Sequence, residues 1–302
     1  MISFSQSIKS LKKKEFVWRY VSNLAHTLSY SAERNRGLTT VEENLVKQLD
    51  EDGVAVTSID TIIGASQFDQ LDQSVAGLLE KMKGETAEVK LNAENIGKIG
   101  SKTFNLEMLG SELLFNPEDV VASFAMSGSF LRIANTYFRM ITKLRYYNVW
   151  YTAASNSTAR ESQLWHFDRE DNYILKVFLY LGDVDEGTGP FTYAPGTHKK
   201  GRFRYITPEF FDEGGVKRTT DQQMDAVYPR RDWKICTGKK GTLIFADTRG
   251  YHKGGEAKTS DRLMFTCMYT SPASESKRLI RFTEDLDTSS LSKNQLRALF
   301  TR

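Results

Sequence analysis

His166 and Asp168 have the side chains and the spacing of two metal ligands. They are separated by one residue in the short apolar sequence LWHFD. In a β-strand, residues i and i+2 point to the same face, so an imidazole and a carboxylate at this spacing can reach one ion. A His-x-Asp pair is a short pattern, and the alternative interpretation is an exposed polar pair at a strand edge. A metal site would need a third ligand from elsewhere in the chain.

The chain has four histidines, so there are few candidates for that third ligand. His252 follows an apolar segment, GTLIFAD, and a tight-turn sequence, TRGYHKGG. Two imidazoles and one carboxylate on one side of an ion leave three coordination positions open, an arrangement typical of Fe(II) oxygenases. His198 lies in the sequence PGTHK, where Pro-Gly favours a turn and a structural role. His26 falls in a predicted N-terminal helix and is not favoured as a ligand.

The elements that must position these residues are predicted to be short β-strands. From Leu144 onward, segments rich in β-branched and aromatic residues are separated by Gly, Pro, Asp and Asn. The segments are RYYNVWYTA, LWHFD, YILKVFLYLGDV, PFTYAP, WKICTG, GTLIFAD and RLMFTCMYT. This pattern indicates a sandwich or barrel and not alternating βα units. We interpret it as a mainly β fold with flanking helices, whose core is a double-stranded β-helix (jelly roll, cupin-like) over residues 144–272.

The first part of the chain, about residues 1–140, is predicted to be mostly helical. Apolar residues recur at helical spacing up to about residue 48 and again over 66–84. Between them, the turn signal Asp52-Gly53 and the sequence VAVTSI indicate a short strand. A further helix is predicted to begin at Asn116, because NPED offers an N-cap, a proline and two acids.

A stretch from about 200 to 232 has no strand pattern and is predicted to be a long insertion in the β-rich part. Long loops inside a compact domain are usually functional or mobile. Between His198 and Lys240, 11 Lys and Arg residues stand against six Asp and Glu residues. If the insertion covers a site, this excess favours an anionic substrate; the alternative is a solvated surface loop. Because no linker rich in Pro, Gly or Ser divides the chain, residues 1–302 are predicted to be a single domain.

Composition argues against several classes of protein. The chain of 302 residues has a net charge of +3, which gives no reason to expect a nucleic-acid partner. No apolar segment approaches the roughly 20 residues of a transmembrane helix, so no stable membrane insertion is expected. Cys236 and Cys267 lie in apolar segments and are predicted to be reduced core residues. We therefore expect a cytoplasmic protein, and the sequence gives no indication of its oligomeric state.

Two long motifs resemble the phytanoyl-CoA dioxygenase family of non-haem iron, 2-oxoglutarate-dependent oxygenases. The first is WHFD followed by LKVFLYLGDVDEGTGPFTYAPGTHK, and the second is GTLIFADTRGYHKGGEAKTSDRLMFTCMY. Together they cover roughly residues 144–272, and LDEDGVAVTSI near residue 50 is similar to the family's first strand. The length and the order of these motifs make the resemblance specific.

The resemblance implies an enzyme with Fe(II) and 2-oxoglutarate, which uses O2 and releases succinate and CO2. His166, Asp168 and His252 fall on the iron ligands. Arg262, ten positions after His252, falls on the arginine that binds the distal carboxylate of 2-oxoglutarate, a role that suits a planar guanidinium. Lys176 either contacts this co-substrate or extends outward. The family's halogenating relatives lack the carboxylate ligand, so the presence of Asp168 favours hydroxylation, or a related desaturation or ring closure, of a small-molecule substrate.

Two other classes of function remain as alternatives. One is a jelly-roll enzyme that uses a different divalent metal for hydrolysis or isomerisation. The other is a non-catalytic binding protein that has kept the fold. Arg262 argues against the first, because such chemistry needs no anchor for 2-oxoglutarate. A complete ligand set together with Arg262 argues against the second.

Overall fold

The computed structural model describes residues 14–33, 37–93 and 104–301, and most of its helices precede residue 140, as predicted. The α-helices of the described residues are Glu15–Val17 (α1), Leu24–Glu33 (α2), Thr40–Asp52 (α3), Ala65–Lys81 (α4), Lys83–Ala93 (α5), Val120–Ala125 (α6), Gly128–Phe138 (α7), Asp221–Asp225 (α8) and Lys293–Phe300 (α9). A π-helical turn, Trp18–Ser22, lies between α1 and α2. Parts of the predicted helical region, 1–13, 34–36 and 94–103, lie outside the described residues. None of the helices in the described ranges combines the length and the hydropathy that a membrane-spanning segment requires.

The strands of the described chain form two main antiparallel sheets. They are Val54–Ser58 (β1), Asn105–Glu107 (β2), Leu113–Leu114 (β3), Lys143–Thr152 (β4), Leu175–Tyr180 (β5), Phe191–Tyr193 (β6), Phe211–Glu213 (β7), Val216–Arg218 (β8), Lys234–Cys236 (β9), Thr242–Asp247 (β10), His252–Gly254 (β11), Arg262–Thr270 (β12) and Ile280–Arg281 (β13). The larger sheet has the order β1-β10-β5-β12-β4-β2, and the smaller has the order β11-β6-β9. A short parallel pair, β3 and β13, and a hairpin, β7 and β8, lie outside these sheets.

Strand β5 shows how the two sheets and the helices share the core. Phe178 and Tyr180 belong to the cluster between the sheets, together with residues of β6 and β9. The alternate residues Val177 and Leu179 belong to a second, larger cluster formed with the helices. Successive side chains of a strand point to opposite faces. A strand covered on both faces therefore reads as a nearly continuous apolar run, as LKVFLY does except at Lys176.

Helix α3 is delimited by clear sequence signals and leads into β1. Thr39 and Glu42 form a capping box at its start. Gly53 ends the helix with φ of 78°, and a Cβ atom at this position would collide with the side chains of Tyr193 and His198. The turn predicted from Asp52-Gly53 and the strand predicted after it are confirmed.

The helix predicted to begin at Asn116 begins later and is interrupted. The Asn116 side chain accepts a hydrogen bond from the backbone N–H of Glu118 in a turn. Asp119 is the N-cap of α6, because its carboxylate accepts from the N–H groups of two residues in the first turn. Ser127 then caps a separate helix, α7. Each of these two caps begins a helix of its own, so two short helices form where the sequence pattern predicted one.

The segment LWHFD, predicted to be a strand, forms two isolated bridges. Trp165 pairs with Thr219 and the next residue, His166, pairs with His252. Two consecutive residues thus pair with different parts of the chain, so that no regular strand forms there.

The insertion at 200–232 contains more structure than its sequence suggested. It includes the hairpin of β7 and β8 and the helix α8. Gly214 and Gly215 turn the hairpin with φ of 61° and 82°, and such a pair is a recognised hairpin signal. Buried aromatic residues join the insertion to the segment that carries His166: Trp165, Tyr228, Trp233 and Tyr251.

Candidate metal centre

His166, Asp168 and His252 are brought together on the wall of one cavity. Their candidate ligand atoms all lie within 4.8 Å of one another. His166 and His252 exchange two backbone hydrogen bonds, of 3.0 and 2.9 Å, which set their rings side by side with centroids 4.3 Å apart. Oδ2 of Asp168 lies 4.0 Å from Nε2 of His252. The backbone pairing that interrupts a regular strand at LWHFD therefore assembles the three side chains.

Both imidazoles are oriented by the main chain. Nδ1 of His166 lies 2.8 Å from the carbonyl oxygen of Leu164, and Nδ1 of His252 lies 3.0 Å from that of Gly250. A carbonyl oxygen can only accept, so Nδ1 carries the proton and Nε2 keeps its lone pair. Imidazoles that ligate metals are commonly held in this way.

The charges at the cluster suit a cation. Burial and the neighbouring His252 hold the pKa of His166 well below its ordinary value. Burial lowers the pKa of His252 to about 4. Burial alone would raise the pKa of Asp168, but Lys176 and the two histidines outweigh it and lower this pKa. Two neutral imidazoles and one carboxylate are the protonation states that ligate a divalent metal.

Lys176 of β5 points into the cavity, so the alternative that it extends outward is wrong. Its Nζ atom lies 2.7 Å from Oδ2 of Asp168, and both side chains are largely buried. Burial would lower the pKa of Lys176, but the carboxylate of Asp168 raises it above its ordinary value. The lysine is therefore the counter-charge of the candidate carboxylate ligand, and its contact with a co-substrate stays a prediction.

Arg262 is a buried cation that lacks a carboxylate partner among the described residues. It is the first residue of β12, is 7% exposed and lines the same cavity as the three candidate ligands. Its Nη2 atom lies 3.5 Å from the hydroxyl of Thr152, and its Nε makes no hydrogen bond within the described chain. Burial lowers the pKa of this guanidinium. A buried charge without a partner is unfavourable, so the position fits an anionic ligand.

The cavity has a volume of about 420 Å³ and lies between the two sheets. Tyr146 and Trp150 of β4 form a stacked pair on its wall, with ring centroids 6.5 Å apart. Phe178 and Met264 add apolar surface from β5 and β12. A cavity of this size, mostly apolar with a few convergent polar groups, is typical of a small-molecule site.

The two remaining histidines lie apart from the cluster. His198 is fully buried, and its Nε2 lies 3.3 Å from the carbonyl oxygen of Asp50. It does not line the cavity, and neither does His26. Neither belongs to the group of candidate ligands found in the described residues.

Several cavity residues carried no recognisable signal in the sequence. Arg218 was counted among the bases of the insertion but was not distinguished from the other ten. Tyr146 and Trp150 lie in a strand that also contains the aromatic residues Tyr147 and Tyr151. Only the strand register, which pairs Met268 with Tyr146 and Met264 with Trp150, shows which residues stand together on the cavity wall.

The family model of phytanoyl-CoA dioxygenase matches residues 110–264. Solved structures support the same fold at low sequence identity. EctD from S. alaskensis with bound Fe is 15% identical, with 80% of each chain covered and a TM-score of 0.52. AviO1 from Streptomyces viridochromogenes Tue57 is 14% identical, with 80% of this chain and 100% of that chain covered and a TM-score of 0.51. No curated protein matches the chain.

These structural similarities confirm the predicted jelly-roll core with flanking helices. The family match spans 155 of the 302 residues, from 110 to 264, which is more than half of the chain and includes all three candidate ligands and Arg262. The chain therefore belongs to the phytanoyl-CoA dioxygenase family.

Proposed function

We propose that this protein is an Fe(II)- and 2-oxoglutarate-dependent dioxygenase that hydroxylates a small-molecule substrate. The observation that carries the proposal is the position of Arg262 in the same cavity as His166, Asp168 and His252. This buried cation has no carboxylate partner among the residues that the structure describes. The three ligands leave one side of an ion open, which suits Fe(II) in this class of enzyme.

Each residue of the site has a distinct task in this account. The Nε2 atoms of His166 and His252 and one oxygen of Asp168 hold the iron, while Lys176 neutralises and orients the carboxylate. Arg262 binds the distal carboxylate of 2-oxoglutarate by its two-pronged guanidinium. Bound iron supplies the activation of O2, which couples decarboxylation of 2-oxoglutarate to succinate and CO2 with oxidation of the substrate.

The apolar wall of the cavity contributes to the reaction by excluding water. Phe178, Phe191 and Met264 surround the polar groups, and a dry site strengthens each electrostatic contact inside it. Hydrolytic or isomerising chemistry at another metal would leave Arg262 without a ligand. The similar structure of EctD from S. alaskensis contains 2-oxoglutarate and 5-hydroxyectoine, and we propose ligands of the same kind, a co-substrate and a small molecule, for this cavity.

The proposed reaction is tested by a screen of small molecules with Fe(II), 2-oxoglutarate and O2. A substrate should increase the rate of succinate formation and should gain one oxygen atom, which mass spectrometry detects. A product that has lost two hydrogen atoms instead would show desaturation or ring closure. Turnover of a compound that neither requires 2-oxoglutarate nor forms succinate would contradict the proposal.

A further inference from the structure

A second buried arginine, Arg218, lines the cavity from the insertion. It ends the strand β8, is 9% exposed and is the only one of the 11 basic residues between His198 and Lys240 that reaches the cavity wall in the described chain. The exposed Arg230 and Arg231, for example, do not. Among the described residues, Arg218 is therefore the one base of the insertion that can contact a ligand in the cavity.

Main-chain pairing fixes Arg218 beside the candidate metal centre. Its neighbour Thr219 exchanges backbone hydrogen bonds of 3.1 and 3.0 Å with Trp165, and the next residue, His166, is paired with His252. The hairpin, the His166 segment and β11 thus lie side by side. Charge on Arg218 accordingly disfavours protonation of both histidines.

The guanidinium of Arg218 has unused hydrogen-bonding capacity. Its Nε and Nη1 atoms make no hydrogen bond within the described chain. The nearest carboxylate is that of Glu213, whose Oε2 lies 3.6 Å from Nε and accepts a hydrogen bond of 2.8 Å from the backbone N–H of Glu161. Asp168, another acid that interacts with Arg218 electrostatically, is paired with Lys176 at 2.7 Å. Buried donors without acceptors are unfavourable, so Arg218 fits a ligand that brings an oxyanion.

We propose that Arg218 binds an anionic group of the primary substrate, a carboxylate or a phosphate, whose apolar body lies against the aromatic wall of the cavity. This inference rests on the proposed function, because it assigns Arg262 to 2-oxoglutarate and leaves Arg218 for the other reactant. The aromatic wall that includes Tyr146 and Trp150 provides the surface for the apolar part. The substrate class is therefore an amphipathic small-molecule acid.

Calorimetric titration of three matched probes tests this assignment, with the protein saturated by Mn(II) and 2-oxoglutarate. Hexanoate and hexyl phosphate carry the two oxyanions on the same chain, and hexanamide is the neutral counterpart. The wild type should bind at least one acid and should bind the amide at least about tenfold more weakly, since charge-assisted pairs are the stronger ones. Which acid binds more tightly identifies the anion.

Variants of the hairpin separate this role from a structural one. Arg218→Gln should weaken acid binding by about tenfold or more, and Arg218→Lys should weaken it less, because the charge remains. Lys217→Gln is the matched control: it removes a charge from the exposed, adjacent residue of the same strand and should leave the affinity unchanged. Equal affinity in the wild type and in both Arg218 variants would overturn the inference, as would failure of the wild type to bind either acid.

A titration of 2-oxoglutarate into the same proteins distinguishes failure of this inference from failure of the proposed function. Arg218→Gln should keep the wild-type affinity for 2-oxoglutarate. A loss there would make Arg218 a co-substrate residue, which overturns the inference and leaves the proposed function standing. A wild-type protein that binds no 2-oxoglutarate in the presence of Mn(II) would instead contradict the proposed function.

Discussion

Nζ of Lys176 lies 2.7 Å from Oδ2 of Asp168, so the candidate carboxylate ligand already has a counter-charge without any ion. Both side chains are about nine-tenths buried. A metal held by Asp168 would supply a second positive charge to the same group. The lysine and a bound metal would therefore both neutralise the same carboxylate.

Replacing Lys176 by Met should destabilise the metal-free protein more than the metal-bound one. Removal of one partner from a buried ion pair costs about 3–5 kcal/mol, because it leaves an uncompensated charge. A bound metal restores compensation, so Mn(II) should raise the Tm of Lys176→Met by more than that of the wild type. Lys239→Met, which removes an exposed lysine paired with Asp183, is the control. Equal metal-induced shifts in the wild type and Lys176→Met would contradict the account.

Each of the three candidate ligands should be required for iron binding. His166→Ala, Asp168→Ala and His252→Ala should each lose Fe(II) binding and succinate formation, because a facial set of three has no spare ligand. His198→Ala is the control for loss of a buried imidazole and should retain iron. Metal analysis after dialysis measures the iron that each variant retains. Iron loss in His198→Ala with retention in His252→Ala would overturn the assignment.

Arg262→Leu should raise the KM for 2-oxoglutarate and leave iron affinity nearly unchanged. Losing a charge-assisted pair in a buried pocket costs about 2–5 kcal/mol, or roughly 30-fold and upward in affinity. Arg231→Leu, a change at an exposed arginine of the insertion, should have no such effect. An unchanged KM in Arg262→Leu would remove the main support for 2-oxoglutarate as co-substrate.

The ion pair between Glu42 of α3 and Arg132 of α7 should make the free energy of unfolding depend on pH. Glu42 is buried and accepts hydrogen bonds of 3.1 and 2.6 Å from Arg132. Burial opposes its ionisation, but Arg132 and the backbone N–H of Thr39 lower its pKa below the ordinary 4.5. A lowered folded-state pKa gives stability that is present above the unfolded pKa and is lost as pH falls through the folded one.

Glu42→Gln should therefore lower the free energy of unfolding at pH 7 by about 1–3 kcal/mol. The difference from the wild type should shrink as pH falls below the ordinary 4.5 and through the lowered folded-state pKa, where the wild-type glutamate also becomes neutral. Glutamine preserves the capping position, so the loss reports mainly the charge. Denaturant unfolding across pH measures it, with exposed Glu43→Gln as the control. A difference that does not vary with pH would contradict this explanation.

The candidate ligands could be predicted from the sequence because their signals are local. His166 and Asp168 are two residues apart, and His252 follows a strand and a turn that the residue types specify. Arg262 was predicted only from the resemblance to the family, since an arginine at the start of a strand has no distinctive pattern of its own. The single-domain prediction for 1–302 stays a prediction.

Other features depend on contacts between distant parts of the chain, which local patterns do not record. Arg218 becomes a cavity residue only because Thr219 pairs with Trp165, 54 positions earlier. The orientation of Lys176 depends on Asp168, which reaches it from outside the sheet. The hairpin in the insertion did carry a signal, Gly214-Gly215, but its exposed strands lack the apolar alternation that usually marks strands.

The central claim is that this cavity binds iron and consumes 2-oxoglutarate. It is tested most directly by succinate formation from 2-oxoglutarate by the purified protein with Fe(II), ascorbate and O2, without added substrate. The account predicts slow succinate formation that requires Fe(II) and O2, is lost in His252→Ala and is strongly reduced in Arg262→Leu. A folded wild-type protein that binds Fe(II) but forms no more succinate than His252→Ala would contradict it.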